Sequence, residues 1–234
     1  ELVLDDQPSG LGWMPDGSML VVSMIKRQVL RVTGDEVFVH ADLSDLATWH
    51  CNDMVVSSSG HAYVGNFGFD LEGQTEPCAA AVIHVSPDGK TSIAADELAF
   101  PNGSVITPDE KTLIVGETFG NCYRSFSIRE DGSLSEPSLW AEVPGMFPDG
   151  CTMDAEGAIW FADASIPRIV RVVEGGEILE EVETPQVPYA CMLGGDKGTT
   201  LFVLTADSSN ADQSGSGNGN LWMHRVDVPH AGLP

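Results

Sequence analysis

Five dipeptides punctuate this 234-residue chain at intervals of about 40–50 residues: Ser9-Gly10, Asn52-Asp53, Asn102-Gly103, Asp149-Gly150 and Tyr189-Ala190. Each is followed at one fixed offset by a second pair, Asp16-Gly17, Ser59-Gly60, Asp109-Glu110, Glu156-Gly157 and Asp196-Lys197, built from residue types that favour turns. A repeat of this period predicts a β-propeller, in which each unit is a small sheet that buries its faces only by stacking on its neighbours. Equivalent positions in such a ring converge on its axis. The first members of the five pairs are therefore expected around one mouth of a central channel. Three of them, Asn52, Asn102 and Asp149, carry side-chain oxygens.

Between the pairs, short runs rich in Val, Ile and Leu alternate with Gly, Pro, Asn and Asp signals, the pattern of strands buried between sheets. The first repeat reads as strands at 11–14, 19–24, 29–32 and 36–41, and the second at 54–57, 61–66, 81–85 and 91–95. The third reads as 104–106, 112–116, 123–128 and 138–143, and the fourth as 151–153, 158–163, 169–173 and 178–182. The fifth shows only 191–193, 200–205 and 221–228, while residues 1–4 form a spare strand ahead of the first repeat. Pairing 1–4 beside 221–228 is expected to complete a fifth four-stranded blade, so that residues 1–234 make one all-β propeller domain. Residues 67–78 read as a loop over one face, and the Ser/Gly/Asn-rich residues 208–220 as a mobile one.

Composition limits the partners. Eleven Lys and Arg stand against 35 Asp and Glu, a formal net charge of −24, and such a surface repels nucleic acid and anionic membranes. The apolar runs are strand-length, too short for a membrane helix, and no charged-then-apolar leader is present. Five cysteines (Cys51, Cys78, Cys122, Cys151 and Cys191), an odd number with no Cys-x-x-Cys, point to reduced thiols in a cytoplasmic protein. Cys151 and Cys191 share the channel-facing side of their strands, as small buried hydrophobes or as a reactive pair. Nothing in the sequence sets the oligomeric state.

Beyond the repeat, several local motifs recur in a specific order: Pro8-Ser9-Gly10-Leu11-Gly12-Trp13, Asn52-Asp53, Pro101-Asn102-Gly103 with Thr107-Pro108-Asp109, and Gly116-Glu117-Thr118. Pro148-Asp149-Gly150, Asp154-Ala155-Glu156-Gly157-Ala158-Ile159-Trp160 and Gly194-Gly195 continue the series. Together they resemble the senescence-marker-protein/gluconolactonase/luciferin-regenerating-enzyme family nearly end to end. The resemblance implies a propeller, normally six-bladed with the first blade absent here, that hydrolyses a lactone or similar small ester using one divalent ion on the axis. It implies metal ligation by Asn52, Asn102 and Asp149, with Asp149 also transferring the proton. The family's Glu-Gly-Pro-like motif, which the spacing would put in a blade of about 45 residues before Ser9, has no counterpart in this sequence. His50 stands where relatives often carry a substrate-binding arginine.

The chemistry suits these residue types. Lactone hydrolysis needs a polarised carbonyl, an activated water and a proton for the leaving alkoxide, and a divalent ion supplies the first two. Carboxylate and amide oxygens suit calcium first, with magnesium, manganese or zinc as alternatives. His50 and Asn52 are candidate substrate contacts, and Trp49, Phe119, Phe147 and Tyr189 a candidate apolar rim. The plainer alternative makes Asn52, Asn102 and Asp149 turn residues tying strand ends and His50 an ordinary loop histidine. Trp13, Trp160 and Trp222 are expected in the core, and Glu117 at a surface or between blades. Two functions follow: a metal-dependent lactone or ester hydrolase, or a non-catalytic propeller that binds a small molecule or a protein.

Overall fold

A computed structural model describes residues 3–73, 75–208 and 218–232, and their regular structure is entirely β. The first sheet contains β1 (Pro8–Trp13), β2 (Met19–Ser23), β3 (Gln28–Thr33) and β4 (Glu36–Asp42). The second contains β5 (Cys51–Val56), β6 (Ala62–Asn66), β7 (Ala80–Val85) and β8 (Thr91–Leu98). The third contains β9 (Pro101–Ile106), β10 (Thr112–Glu117), β11 (Cys122–Ser127) and β12 (Ser138–Glu142). The fourth is β13 (Pro148–Met153), β14 (Ile159–Asp163), β15 (Arg168–Val172) and β16 (Ile178–Glu183), and the last is β17 (Val187–Gly194), β18 (Thr200–Ala206) and β19 (Asn220–Arg225). Each sheet is an antiparallel meander with its strands in chain order, the blade of a β-propeller.

The first strand of every sheet starts within two residues of Ser9, Asn52, Asn102, Asp149 or Tyr189, as the repeat predicts. The paired residues therefore lie on strands, not in turns. The reason the second member is so often glycine is close backbone approach. A Cβ on Gly10 would stand 2.8 Å from the Asp53 carbonyl carbon, and one on Gly150 would stand 2.8 Å from Ala190 Cα. One on Gly103 would overlap the Asp149 carbonyl oxygen.

The contacts cluster into two compact units. One comprises Glu1–Asn102, Glu110–Thr112 and Phe126–Pro137, and its core joins Leu20, Val22 and Leu43 to Val56, Val64 and Ile83. The other comprises Gly103–Asp109, Leu113–Ser125 and Ser138–Pro234. It holds one cluster around Tyr123, Trp140 and Phe161 and another around Trp160, Ile169, Leu201 and Val203. Each such side chain contributes roughly 1.5–3 kcal/mol on burial.

The other expectations fare unevenly. Val3 and Leu4 form no strand, Val3 is 85% exposed, and among the described residues the last sheet ends at β19; Glu1 and Leu2 lie outside the described residues. Trp13 is 52% exposed, with Leu11 beside it on the same face, because no sheet among the described residues covers that face of the first blade. The last sheet likewise exposes Met192, Leu204, Leu221 and Met223 on one face. Trp160 is buried as expected, and Trp222 packs partly buried against the cluster beneath it. Cys151 and Cys191 are small buried residues, the first of the two expected readings: each belongs to a buried cluster, and Cys191 Sγ lies 3.3 and 3.5 Å from the carbonyl oxygens of Trp160 and Gly150. Glu117 is buried at the end of β10 and paired with Arg124. Of the loop expected at 208–220, residues 209–217 lie outside the described residues.

Candidate active site

In the first unit, three repeat-equivalent residues join in a side-chain chain. Ser9 Oγ donates to Asn52 Oδ1 at 3.4 Å, and Asn52 Nδ2 donates to Asn102 Oδ1 at 2.9 Å. Asn102 is buried and Asn52 half-buried. The two amides are thus held side by side, each with one side-chain oxygen. This donor set, amide oxygens without imidazole or thiolate, suits a hard cation such as calcium. No group of three or more His, Cys, Asp or Glu able to hold a metal occurs among the described residues.

Next to the amides runs a chain of rings. Trp49 stacks on His50 (4.9 Å, 23°), His50 leans on Phe67 (6.1 Å), Phe67 stacks on Phe100 (4.6 Å, 22°), and Phe69 meets Phe100 edge-on. Asn66, fully buried at the end of β6, organises them. Its Oδ1 accepts from Thr48 Oγ1 (3.2 Å) and Gly68 N (3.0 Å), and its Nδ2 donates to Ala81 O (2.9 Å). Phe67 N donates to His50 O at 2.9 Å, so residues 48–50 and 66–69 lie alongside one another. Phe100 has φ +64° immediately before Pro101-Asn102, a conformation that costs a non-glycine residue about 1–3 kcal/mol. Local strain therefore sits directly beside the Asn102 amide.

Asp53 was not expected. It holds the place taken by Gly10, Gly103, Gly150 and Ala190 in the other repeats, where the chain presses on the next first strand. The residue keeps part of its surface open, yet burial pushes its carboxyl up to about 6. No hydrogen bond or ion pair reaches that carboxyl among the described residues. Beside it, burial pushes the Cys51 thiol up to about 12, so that sulfur is an inert core group.

In the second unit, Asp149 lies half-buried on β13 and its Oδ1 accepts from Gly150 N at 3.0 Å. The segment leading to it is pinned three ways. Phe147 N donates to Asp163 Oδ1 (3.2 Å), Thr118 Oγ1 to Pro148 O (2.7 Å), and Asn121 Nδ2 to Met146 O (2.5 Å). Phe119 meets Phe147 edge-to-face at 6.3 Å, bringing two of the expected rim residues together. Tyr189 lines an open cavity of about 520 Å³ with Leu204, Thr205, Asn220 and Leu221 on the exposed face of the last sheet.

Sequence reasoning missed a whole class of supports. The second strand of each blade closes on a buried polar residue: Ser23, Asn66, Glu117, Asp163 and Thr205. Four of them bond the segment that enters their own sheet's first strand: Ser23 to Asp6, Asn66 to Thr48, Asp163 to Phe147, Thr205 to Gln186. Glu117 accepts from Arg124. The signal was available, a polar residue ending an apolar run at the same place in five repeats. Buried polar groups at strand ends are there to be hydrogen-bonded.

Comparison with known proteins gives three relatives and a fold. The profile of the SMP-30/gluconolactonase/LRE-like region matches residues 3–207. The pentonolactonase XacC of Haloferax volcanii is 26% identical over 97% of this chain and 78% of its own length. The lactonase drp35 of Staphylococcus saprophyticus is 27% identical over 83% of this chain, and this chain spans 62% of it. The 6-deoxy-6-sulfogluconolactonase of Pseudomonas putida is 24% identical over 65% of this chain and 55% of its own length. Among solved structures, a luciferin-regenerating enzyme superposes with a TM-score of 0.80 at 19% identity, covering 97% of this chain and 80% of that one. A calcium-binding regucalcin from Agrobacterium tumefaciens superposes at 0.70 and 17% identity, covering 95% and 91%. At these identities the structures speak to the fold alone.

Proposed function

This chain belongs to the SMP-30/gluconolactonase/LRE-like family, and from that premise we propose that it hydrolyses a lactone or similar small cyclic ester. The observation that carries the reading is that all three relatives described above are named as lactonases of one kind or another. We further propose one divalent cation, calcium first, with Asn52, Asn102 and Asp149 as its oxygen ligands. The hydrogen-bonded pair of amides and their shared place in the repeat support this set. When bound, the cation would polarise the lactone carbonyl and lower the pKa of a water.

The chain's own residues supply the rest. Asp149, the one carboxylate among the five first members, takes the proton of the attacking water and returns it to the leaving alkoxide. The half-buried rings of Trp49, His50 and Phe67 offer one wall for the substrate's ring, and Phe119, Phe147 and Tyr189 are proposed for its rim. Asn66 and Asp163 hold the loops carrying those residues, so that little reorganisation is left to the reaction. The net charge of −24 fits a neutral lactone better than a polyanion. The five free thiols support a reducing, cytoplasmic setting, and no helix among the described residues is long and apolar enough to cross a membrane.

The test is hydrolysis of a panel of small lactones, followed by proton release, with and without chelator, for wild type, Asp149→Ala and Asn102→Ala. Asp149→Ala is expected to lose about 10²–10⁴-fold in rate, and Asn102→Ala to recover in part with added calcium. Chelator-insensitive turnover surviving Asp149→Ala would defeat the mechanism. Absence of turnover by folded wild type at millimolar metal would favour a non-catalytic propeller that binds a small molecule or protein.

A further inference from the structure

At the opposite end of the second sheet from His50 and Asn52, two histidines meet nitrogen to nitrogen. His61, just before β6, places Nδ1 2.7 Å from Nε2 of His84 on β7, with the rings stacked at 4.9 Å and 23°. At that distance one ring donates an N–H to the other's lone pair. The bond therefore exists with neither ring charged or with one, and not with both.

The turn between β11 and β12 closes directly over this pair. Gly132, at φ +81°, is the residue in contact: a Cβ there would overlap His84 Nε2 and stand 2.5 Å from His61 Nδ1. Its carbonyl oxygen accepts a buried 2.9 Å hydrogen bond from the hydroxyl of Tyr63. Within the turn, Arg129 N donates to Ser133 O and Gly132 N to Arg129 O, both at 2.9 Å. The turn is a stiff unit seated on two facing nitrogens.

We propose that His61 and His84 form a single-proton site that latches the β11–β12 turn onto the second sheet and releases it when a second proton binds. The second proton comes from solvent onto the acceptor nitrogen. It breaks the N–H···N bond and leaves two N–H groups and two positive charges face to face beneath Gly132, so the rings must part and displace the turn.

One carboxylate stands near the pair, and it is already engaged. Asp131 is the carboxylate that faces His84 and Tyr63 from the turn, and it is already bound to Ser133 N (3.0 Å) and Ser133 Oγ (2.6 Å), with Arg129 nearby. Glu130 lies on the exposed side of the turn. From β8, Ser92 brings a neutral hydroxyl 3.5 Å from His84 Nδ1. Glu110, in the turn between β9 and β10, is held by Ser58 N (2.7 Å) and Ser58 Oγ (2.5 Å) on the loop before His61. Burial first, and then the His61 ring, hold His84 below the ordinary histidine range, with Asp131 pulling the other way. In the unfolded chain both rings take protons near pH 6.5. The unfolded state thus binds more protons as pH falls through 6.5, and the seam loses stability on acidification.

The experiment is amide hydrogen exchange of residues 129–133 at pH 7.5 and 5.0, corrected for the intrinsic rate, together with ¹⁵N NMR titration of the imidazoles. Opening of the turn should be about tenfold more frequent at the lower pH in wild type. In His61→Gln, whose amide can still donate to His84, the acid effect should disappear. In the folded protein His84 should take up its proton below the ordinary histidine range. The inference fails if His84 titrates at the ordinary histidine value in the folded protein, if the turn opens equally at both pH values, or if His61→Gln keeps the acid effect. Should that variant not fold, the wild-type titration and exchange decide alone.

Discussion

Asn52 donates its side-chain N–H to the side-chain oxygen of Asn102 at 2.9 Å, joining two strands 50 residues apart in sequence. That donor ties the two side-chain amides together across neighbouring sheets. Asn52→Asp removes it and sets a carboxylate against Asn102 Oδ1. In chelator the variant should lose about 1–3 kcal/mol, the cost of losing that hydrogen bond and turning a carboxylate toward the Asn102 oxygen. Added calcium should then stabilise it more than it stabilises wild type, because a second anionic ligand raises affinity at a hard-ion site. Thermal melts of both proteins across a calcium series check this; equal calcium shifts would remove Asn52 from the ligand set.

Gly103 acts on Asp149 through the main chain. A Cβ at position 103 would overlap the Asp149 carbonyl oxygen and stand 2.9 Å from Cys151 N. Both are backbone atoms of a paired strand, which cannot swing aside as a side-chain tip can. Gly103→Ala should cost about 1–3 kcal/mol, as overpacking does. It should also lower kcat with little change in KM, since the carboxylate it displaces is proposed to move protons. Urea unfolding and lactone kinetics on one preparation separate the two effects. Unchanged kcat in a destabilised variant would dissociate the packing from the chemistry.

These two relationships differ in how plainly the sequence announces them. The repeat of Ser9, Asn52, Asn102, Asp149 and Tyr189 located the start of every first strand, because the backbones there pack closely enough to demand small residues one position later. The same logic exposes Asp53 as the exception, a carboxylate where other repeats have glycine or alanine. Phe67, Phe69 and Phe100 escaped notice for a different reason. They occupy connections, where side-chain direction follows no period, and Phe100 reaches its ring partner through a positive φ that sequence does not display. His61 and His84 lie 23 residues apart and meet only through the register that pairs Tyr63 with His84. The spare strand at 1–4 followed from counting strands, and counting cannot tell whether a run of four residues will pair.

Asp53 makes stability depend on pH in an unusual direction. Burial raises its carboxyl from the ordinary 3.8 to about 6 in the folded protein. Between those values the folded state binds more protons than the unfolded one, so this residue's contribution falls as pH rises from about 4 to 6 and stays low above. Asp53→Asn removes the ionisation at similar volume. In chelated protein at pH 7.5 it should be more stable than wild type by on the order of 1 kcal/mol, a figure reduced because the residue is partly open to water. At pH 4 the two should coincide. Denaturant midpoints at both pH values check this, and a variant less stable at pH 7.5 would mean that the carboxylate has a partner in solution.

The same arginine position in two repeats should behave differently. Arg31 on β3 bonds Asp16 at 2.5 Å, a carboxylate with 61% of its side chain exposed. Arg171 on β15 likewise reaches the exposed Glu156 at 2.8 Å, but its Nε also donates at 2.7 Å to Asp154, whose side chain is 0% exposed. Asp154 also accepts from Glu156 N and Ala158 N at 3.0 and 3.1 Å, bonds that hold the turn but bring no positive charge, so Arg171 is its counterion. Arg171→Met keeps an apolar stem, loses the guanidinium that stands 5.9 Å over the Trp160 ring, and strands that buried carboxylate, at a cost of about 3–5 kcal/mol. Arg31→Met leaves Asp16 in water and should move the unfolding midpoint very little. In Arg171→Met the lost stability should return in part when Asp154→Asn is added, because the amide removes the unpaired charge. Equal effects of the two arginine substitutions, or no rescue by Asp154→Asn, would show that lost packing and not the buried charge sets the cost.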